Sequence, residues 1–239
     1  MTHFTRVRAA ALLVAGLAAL GLPASGVVTP AAAGRAAEPG PTSYAQRGPY
    51  AVGERTMKLP SGARVEVWYP ARKAAVAGHP VDTYDVVDWL PDLLAQLVPD
   101  GASVSHPSGG VRGVPVARGR FPLVVFSHGF AGFRHQSTFL TSALASWGFV
   151  VAAPDHPSRN LTKVLGGPAG TTTDIEDLRA TITLIGKRAE RRRSWLHDRV
   201  DLRRIGAVGN SAGGRAVERE GRRDDAFFAN GGKVVEVVD

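Results

Sequence analysis

Three apolar runs constrain this chain more than any other feature: Phe121-Pro122-Leu123-Val124-Val125-Phe126, Phe149-Val150-Val151-Ala152-Ala153 and Ile205-Gly206-Ala207-Val208. Each is too short for a core helix, and none alternates with polar residues as a strand with one wet face would. Runs of this kind belong to strands covered on both faces, as in a parallel sheet between two helical layers. The intervals read as helices. Phe139, Leu140, Ala143, Leu144 and Trp147 recur at helical spacing, and Gly148 stands where a left-handed C-terminal cap belongs. Thr173-Asp174-Ile175-Glu176 has the form of a capping box, and Ile175, Leu178, Ile182 and Ile185 fall on one face of the helix it opens. Strands alternating with helices predict an α/β fold, with a mostly parallel, doubly wound sheet and helices on both faces.

Upstream, Thr56–Leu59 and Arg64–Tyr69 alternate polar and apolar across Pro60-Ser61-Gly62, as an antiparallel hairpin would. The segment Val86 to Val98 has helical apolar spacing interrupted by Pro91, and reads as an excursion over the core. At the N-terminus, Arg6 and Arg8 precede an apolar run from Ala9 to Leu22, and Ala31-Ala32-Ala33 offers a signal-peptidase site. The run is shorter than the roughly 20 residues a spanning helix needs, so residues 1–33 are expected to be a cleaved export signal. A secreted protein follows, without stable membrane insertion once the signal is gone. Residues 34–47 are rich in Ala, Gly and Pro without periodicity and read as a flexible linker, with the folded domain running from 48 to 239. With no cysteine, the domain holds together without disulfides or cysteine-ligated metal.

The formal charge of +8 invites a polyanionic partner. Much of it is local: Lys187, Arg188, Arg191, Arg192, Arg193, Arg199, Arg203 and Arg204 are expected in a helix end and loop, with no interleaved aromatics to stack on bases. This predicts a solvated basic face and no nucleic-acid partner. Oligomeric state has no signature in the sequence.

The third apolar run leads straight into Gly209-Asn210-Ser211-Ala212-Gly213. A G-x-S-x-G pentapeptide between a buried strand and a helix is the form of a nucleophile elbow, where a strained turn exposes the serine and glycines let strand and helix approach. By itself the pentapeptide says little; its placement gives it weight. The helix N-terminus leaves backbone N–H groups free, and that of Ala212 would point at an oxyanion. A second donor comes, in such folds, from the loop after an earlier strand. Ser127-His128-Gly129-Phe130 occupies that place, Gly129 permitting the turn and the Phe130 N–H serving as donor. His128 is expected to be a buried residue that shapes this loop through hydrogen bonds. His156, beside Asp155 at the C-terminal end of a strand, is expected to line the cleft or fix the loop, since an adjacent Asp cannot easily bond the same ring. His79, His106, His135 and His197 have no partner visible in the sequence.

The chain resembles the platelet-activating-factor acetylhydrolase-like and dienelactone-hydrolase-like branch of the α/β hydrolases, and is similar more distantly to bacterial cutinases and polyester hydrolases. The matching residues are Val67-Trp68-Tyr69-Pro70-Ala71, FPLVVFSHGF, Trp147 to Ala152, and RIGAVGNSAGG, within roughly residues 48–214. The resemblance implies hydrolysis of small-molecule or lipid esters of short or medium acyl chains, without metal or cofactor. It also implies Ser211 as nucleophile with Phe130 and Ala212 as backbone oxyanion donors. Two departures stand out. Position 210 is Asn210 where relatives often carry histidine or an aromatic. In this fold the acid and the histidine follow the serine in chain order, yet only 28 residues follow Ser211 and none is histidine. The triad acid and base are therefore unknown, and the domain is expected to be incomplete after about 214, with its last sheet strands missing. A truncated, catalytically inactive or ligand-binding member of the same fold is the alternative reading. Beyond the elbow, Arg215, Glu218, Arg219, Glu220, Arg222 and Arg223 leave little apolar stripe, and Ala226–Ala229 and Val234–Val238 could form two further strands.

Overall fold

The structure is a computed structural model that describes residues 46–223 and 233–234. The expected export signal at 1–33, most of the 34–47 linker and the strand at 226–229 lie outside the described residues. The elements, in chain order, are β1 (Ala51–Lys58), β2 (Arg64–Ala71), α1 (Lys73–Val76), β3 (Thr83–Asp85), a 3-10 turn (Val86–Trp89), α2 (Asp92–Ala95), β4 (Ser105–Pro107) and β5 (Val111–Arg112). They continue with β6 (Phe121–Ser127), α3 (Thr138–Ser146), β7 (Val150–Pro154), α4 (Leu161–Val164), α5 (Asp174–Glu190), β8 (Val200–Gly209), α6 (Ala212–Arg223) and β9 (Lys233–Val234).

Among the described residues, seven strands form the main sheet in the order β5-β1-β2-β7-β6-β8-β9. β1 and β2 form the expected antiparallel hairpin, and β2 lies antiparallel to β7. From β7 onward, neighbouring strands run parallel. The continuous apolar runs have the cause inferred for them. Leu123, Val125, Val150, Ala152 and Ala207 face one core with Leu178 and Ile185 of α5 and Val217 of α6. Their neighbours Val124, Phe126, Val151, Ala153 and Val208 face a second core with Ala145 of α3. Successive residues point to opposite faces, so both must be apolar when both are covered.

Local signals place the helices. Thr173 Oγ1 accepts the Glu176 N–H while Glu176 returns a bond to the Thr173 N–H, completing the capping box of α5. Gly148 ends the α3 turn at φ +97°, a conformation that costs glycine nothing. Three expectations are corrected. The helix over 86–98 is broken by Pro91 into a 3-10 turn and the single turn α2, because proline lacks the N–H a continuous helix needs there. β8 is ten residues long rather than four: it starts at Val200, and a register shift opposite Pro122/Leu123 lets it turn from Phe121 pairing to Leu123 pairing. That extension puts Arg203 and Arg204 in a strand, where both bond Asp201, and not in a loop. β9 is Lys233–Val234, so of the strand expected at 234–238 only Val234 falls within it, the remainder lying outside the described residues.

Candidate active site

β6, β7 and β8 end at the same sheet edge, as parallel strands in register must, and their following loops carry the residues singled out in the sequence. Ser211 sits between β8 and α6 at φ +50°, a left-handed conformation that costs a side-chain-bearing residue about 1 kcal/mol or more. A Cβ on Gly209 would collide with the Gly213 carbonyl, and one on Gly213 with the Ser127 carbonyl. Both glycines are thus steric requirements of a turn that drives the helix start into the neighbouring strand end. The Asn210 N–H donates to the Ser127 carbonyl at 3.0 Å, and the Gly213 N–H to the Asn210 carbonyl at 2.8 Å. Ser211 is exposed, and among the described residues its Oγ has no hydrogen-bond partner. Asn210, the departure at position 210, packs its Oδ1 2.8 Å from where a Cβ on Gly129 would lie, too close for a side chain there, so the elbow and the β6 loop require each other's shape.

The β6 loop is held from below by two buried imidazoles. The His156 backbone N–H donates to His128 Nε2 at 3.0 Å, which assigns the His128 proton to Nδ1, 2.8 Å from the Gly129 carbonyl it bonds. Burial, reinforced by His156 and Arg159, pushes the His128 pKa well down, and the neutral ring fits this pattern. His156 is itself fully buried. Its Nε2 lies 2.9 Å from Ser127 Oγ and its Nδ1 3.2 Å from Asp177 Oδ2. Asp177 comes from α5 and takes a second bond from Thr172. Ser127, His156 and Asp177 are therefore linked in a serine–histidine–carboxylate chain, but beneath the sheet edge and away from solvent. The neighbouring Asp155 serves other groups: it accepts from Trp89 Nε1 and from the Arg134 main chain and guanidinium. All four nitrogens of His128 and His156 are engaged, so neither ring is free to take a proton from Ser211 in this arrangement.

Beside the elbow lies an open cleft of about 700 Å³, lined by Ser158, Thr172, Asp174, Ala212, Arg215 and Arg219 among others, and of a size suited to a small organic ligand. Phe130, in the β6 loop, is 65% exposed. No described group accepts a bond from its N–H or from that of Ala212, so both remain available as donors.

A second polar cluster went unread in the sequence. Glu54 of β1, Glu66 of β2 and His135 of the β6–α3 loop are all buried, with ligand-capable atoms within 4.8 Å of one another. These are the described residues that could hold a metal ion, but the oxygens of the two carboxylates are already engaged. Glu66 accepts from Thr56 and from Arg134 at 3.3 Å, Glu54 from Ser108, and Arg112 reaches both carboxylates. Two guanidiniums supply the countercharge an ion would bring. Burial raises the pKa of both glutamates and lowers that of His135 to about 4. His135 thus has partners that no sequence feature disclosed. The available hint was Trp68, two residues from Glu66 and so on the same face of β2, which marks that face as covered. Tyr84 stacks on His135 and Trp89 lies against Phe133, tying the 83–107 excursion onto the β6–α3 loop.

A largely parallel sheet that carries a serine at a strained strand-to-helix turn defines an α/β hydrolase. Residues 45–208 match the family described as platelet-activating factor acetylhydrolase, isoform II, and the chain belongs to that family. Among solved structures it is similar to a ferulic acid esterase from Streptomyces cinnamoneus, with 25% identity and a TM-score of 0.44, over 74% of this chain and 56% of that one. This chain thus spans little more than half the length of that enzyme.

Proposed function

We propose that this protein is a secreted serine hydrolase of small-molecule or lipid carboxylic esters, with Ser211 as nucleophile and the N–H groups of Phe130 and Ala212 as oxyanion donors. The observation that carries the reading is the positive φ of Ser211 at the β8–α6 junction, with its Oγ exposed and unbonded among the described residues. Such strain persists where the surroundings enforce it, and Gly209 and Gly213 do so here. Membership of the acetylhydrolase family supports the ester chemistry. In the reaction, Ser211 Oγ bonds to the carbonyl carbon and gives up its proton. The tetrahedral oxyanion collapses with departure of the protonated alcohol, and water releases the acid from the acyl-enzyme. No metal or cofactor enters these steps. The group that takes the serine proton is neither His128 nor His156, whose ring nitrogens are engaged.

The same engagement favours a second reading, a ligand-binding protein that keeps the cleft without turnover. A fluorophosphonate probe separates the two. Serine hydrolases stripped of one triad member keep roughly a thousandfold or more of their catalysis over water, so slow labelling and marginal hydrolysis of a short p-nitrophenyl ester are expected. Both should vanish in Ser211→Ala. Labelling that survives this substitution would mean another residue is the nucleophile, and no labelling at all would favour the binding protein.

A further inference from the structure

Arg159, between β7 and α4, has no role in the sequence reading, yet it is the most heavily bonded residue beneath the β6 loop. It is 8% exposed. Its Nη1 donates to the His128 carbonyl and, at 2.6 Å, to the Gly129 carbonyl. Its Nη2 donates to Ser127 Oγ at 2.9 Å, and its Nε to Asp174 at the N-terminus of α5 at 2.6 Å. We propose that Arg159 is a positioning residue that aims the Phe130 N–H, by fixing the two peptide carbonyls that precede it. The proposal rests on the reading of Ser211 as nucleophile and Phe130 as oxyanion donor.

In a planar trans peptide the carbonyl of one residue and the N–H of the next point in opposite directions. The Gly129 carbonyl takes bonds from Arg159, from His128 Nδ1 at 2.8 Å and from the Gly132 N–H at 3.1 Å, so the Phe130 N–H of that peptide must face the other way. One peptide earlier the logic repeats with a different result. Arg159 holds the His128 carbonyl, which turns the Gly129 N–H outward, but Gln136 Oε1 takes that donor at 2.9 Å. Of the two outward N–H groups only that of Phe130 has no described acceptor.

The guanidinium is itself immobilised. Ser127, which accepts from it, donates its own O–H to His156 Nε2, and His156 is braced by Asp177. Ser127, His156 and Asp177 are in this account the back wall of the clamp, which gives the buried triad-like chain a use that needs no solvent access. The main chain joins in: the Ala131 N–H donates to the Arg159 carbonyl and the Leu161 N–H to the Gly132 carbonyl, each at 3.0 Å. Ala131 is held at φ +56°, strain that this stitching enforces. A planar fork that spans two carbonyls, a hydroxyl and a carboxylate is a task for arginine; lysine would keep the charge without the reach.

The test uses the full chain with Arg159→Lys and Arg159→Gln, and reads two things. In amide hydrogen exchange, both variants should exchange roughly tenfold faster or more across 128–133, with the β1–β2 hairpin unchanged as a check on folding. Unchanged exchange across 128–133 overturns the clamp whatever Ser211 does. In fluorophosphonate labelling, the limiting rate at saturating probe should fall about tenfold or more in Arg159→Lys, while the half-saturating concentration stays within about twofold. A loss confined to the half-saturating concentration would assign Arg159 to probe binding and overturn the proposal. If the wild-type chain is not labelled, the nucleophile reading fails, and the exchange measurement alone decides on the clamp.

Discussion

His135 shows how much a single buried side chain can say about pH. Its Nε2 lies 3.2 Å from Glu54, its Nδ1 has no partner among the described residues, and burial lowers its pKa from 6.5 to about 4. Below pH 6.5 the unfolded chain therefore binds a proton that the folded one refuses until about pH 4, so stability falls as pH drops through that window. Taken alone the shift amounts to about 3 kcal/mol at the acid end. Glu54 and Glu66 act in the opposite sense. Burial raises their pKa, so the folded state takes up protons before the unfolded one and gains stability as pH falls toward 4.5. The histidine contribution is isolated by comparison: urea unfolding at pH 7 and 4.5 should show His135→Gln losing less stability on acidification than the wild type. Parallel losses in both would contradict this assignment. None of it was legible from the sequence, because Glu54, Glu66 and His135 lie far apart along the chain and meet only through β1–β2 pairing and the packing of the β6–α3 loop.

Among the elements, the β8–α6 turn is the most demanding, and two glycines measure the demand. Gly213 has no room for a Cβ, because the Ser127 carbonyl occupies that space. Gly78, at φ +75°, has nothing within 4 Å of an added Cβ. Alanine at Gly78 should cost about 1 kcal/mol, the strain of a left-handed residue alone. Alanine at Gly213 should cost about 3 kcal/mol or more, since strand end and helix start must separate. Equal urea midpoints for the two variants would mean that the elbow relaxes more easily than its geometry indicates. The elbow was readable because its chemistry is local: strand, turn and helix are contiguous, and the small residues are written at fixed spacing. The 86–98 segment was misread for a related reason. Its apolar spacing is real, but Trp89 uses it to pack on Phe133 and to bond Asp155, not to build a long helix.

At the scale of the whole molecule, the basic residues are spread over several elements. Lys187 and Arg188 end α5, where cations complement the exposed carbonyls of a helix C-terminus, and Arg203 and Arg204 pair with Asp201 on β8. This distribution accords with a solvated surface. Export is the remaining proposal. If residues 1–33 direct secretion, intact-mass measurement of protein recovered outside an expressing cell should give a chain beginning near Gly34. Recovery of exported protein that retains Met1 would defeat it. No helix among the described residues is long and apolar enough to cross a membrane.

The sequence by itself determined the sheet, the hairpin, the helix that opens at Thr173, the family and the candidate nucleophile. Each is encoded over a short stretch, as a periodicity, a cap or a turn that the chain must satisfy locally. Only the tertiary structure decided what the buried polar residues do. His156 is braced by Asp177 and not by its neighbour Asp155, Arg159 grips the loop before Phe130, and His135 joins two glutamates from a different hairpin. The physical reason is that a buried polar group must find partners, but the partner can come from any strand or helix that packing brings within about 3 Å. Spacing along the chain carries no record of that choice.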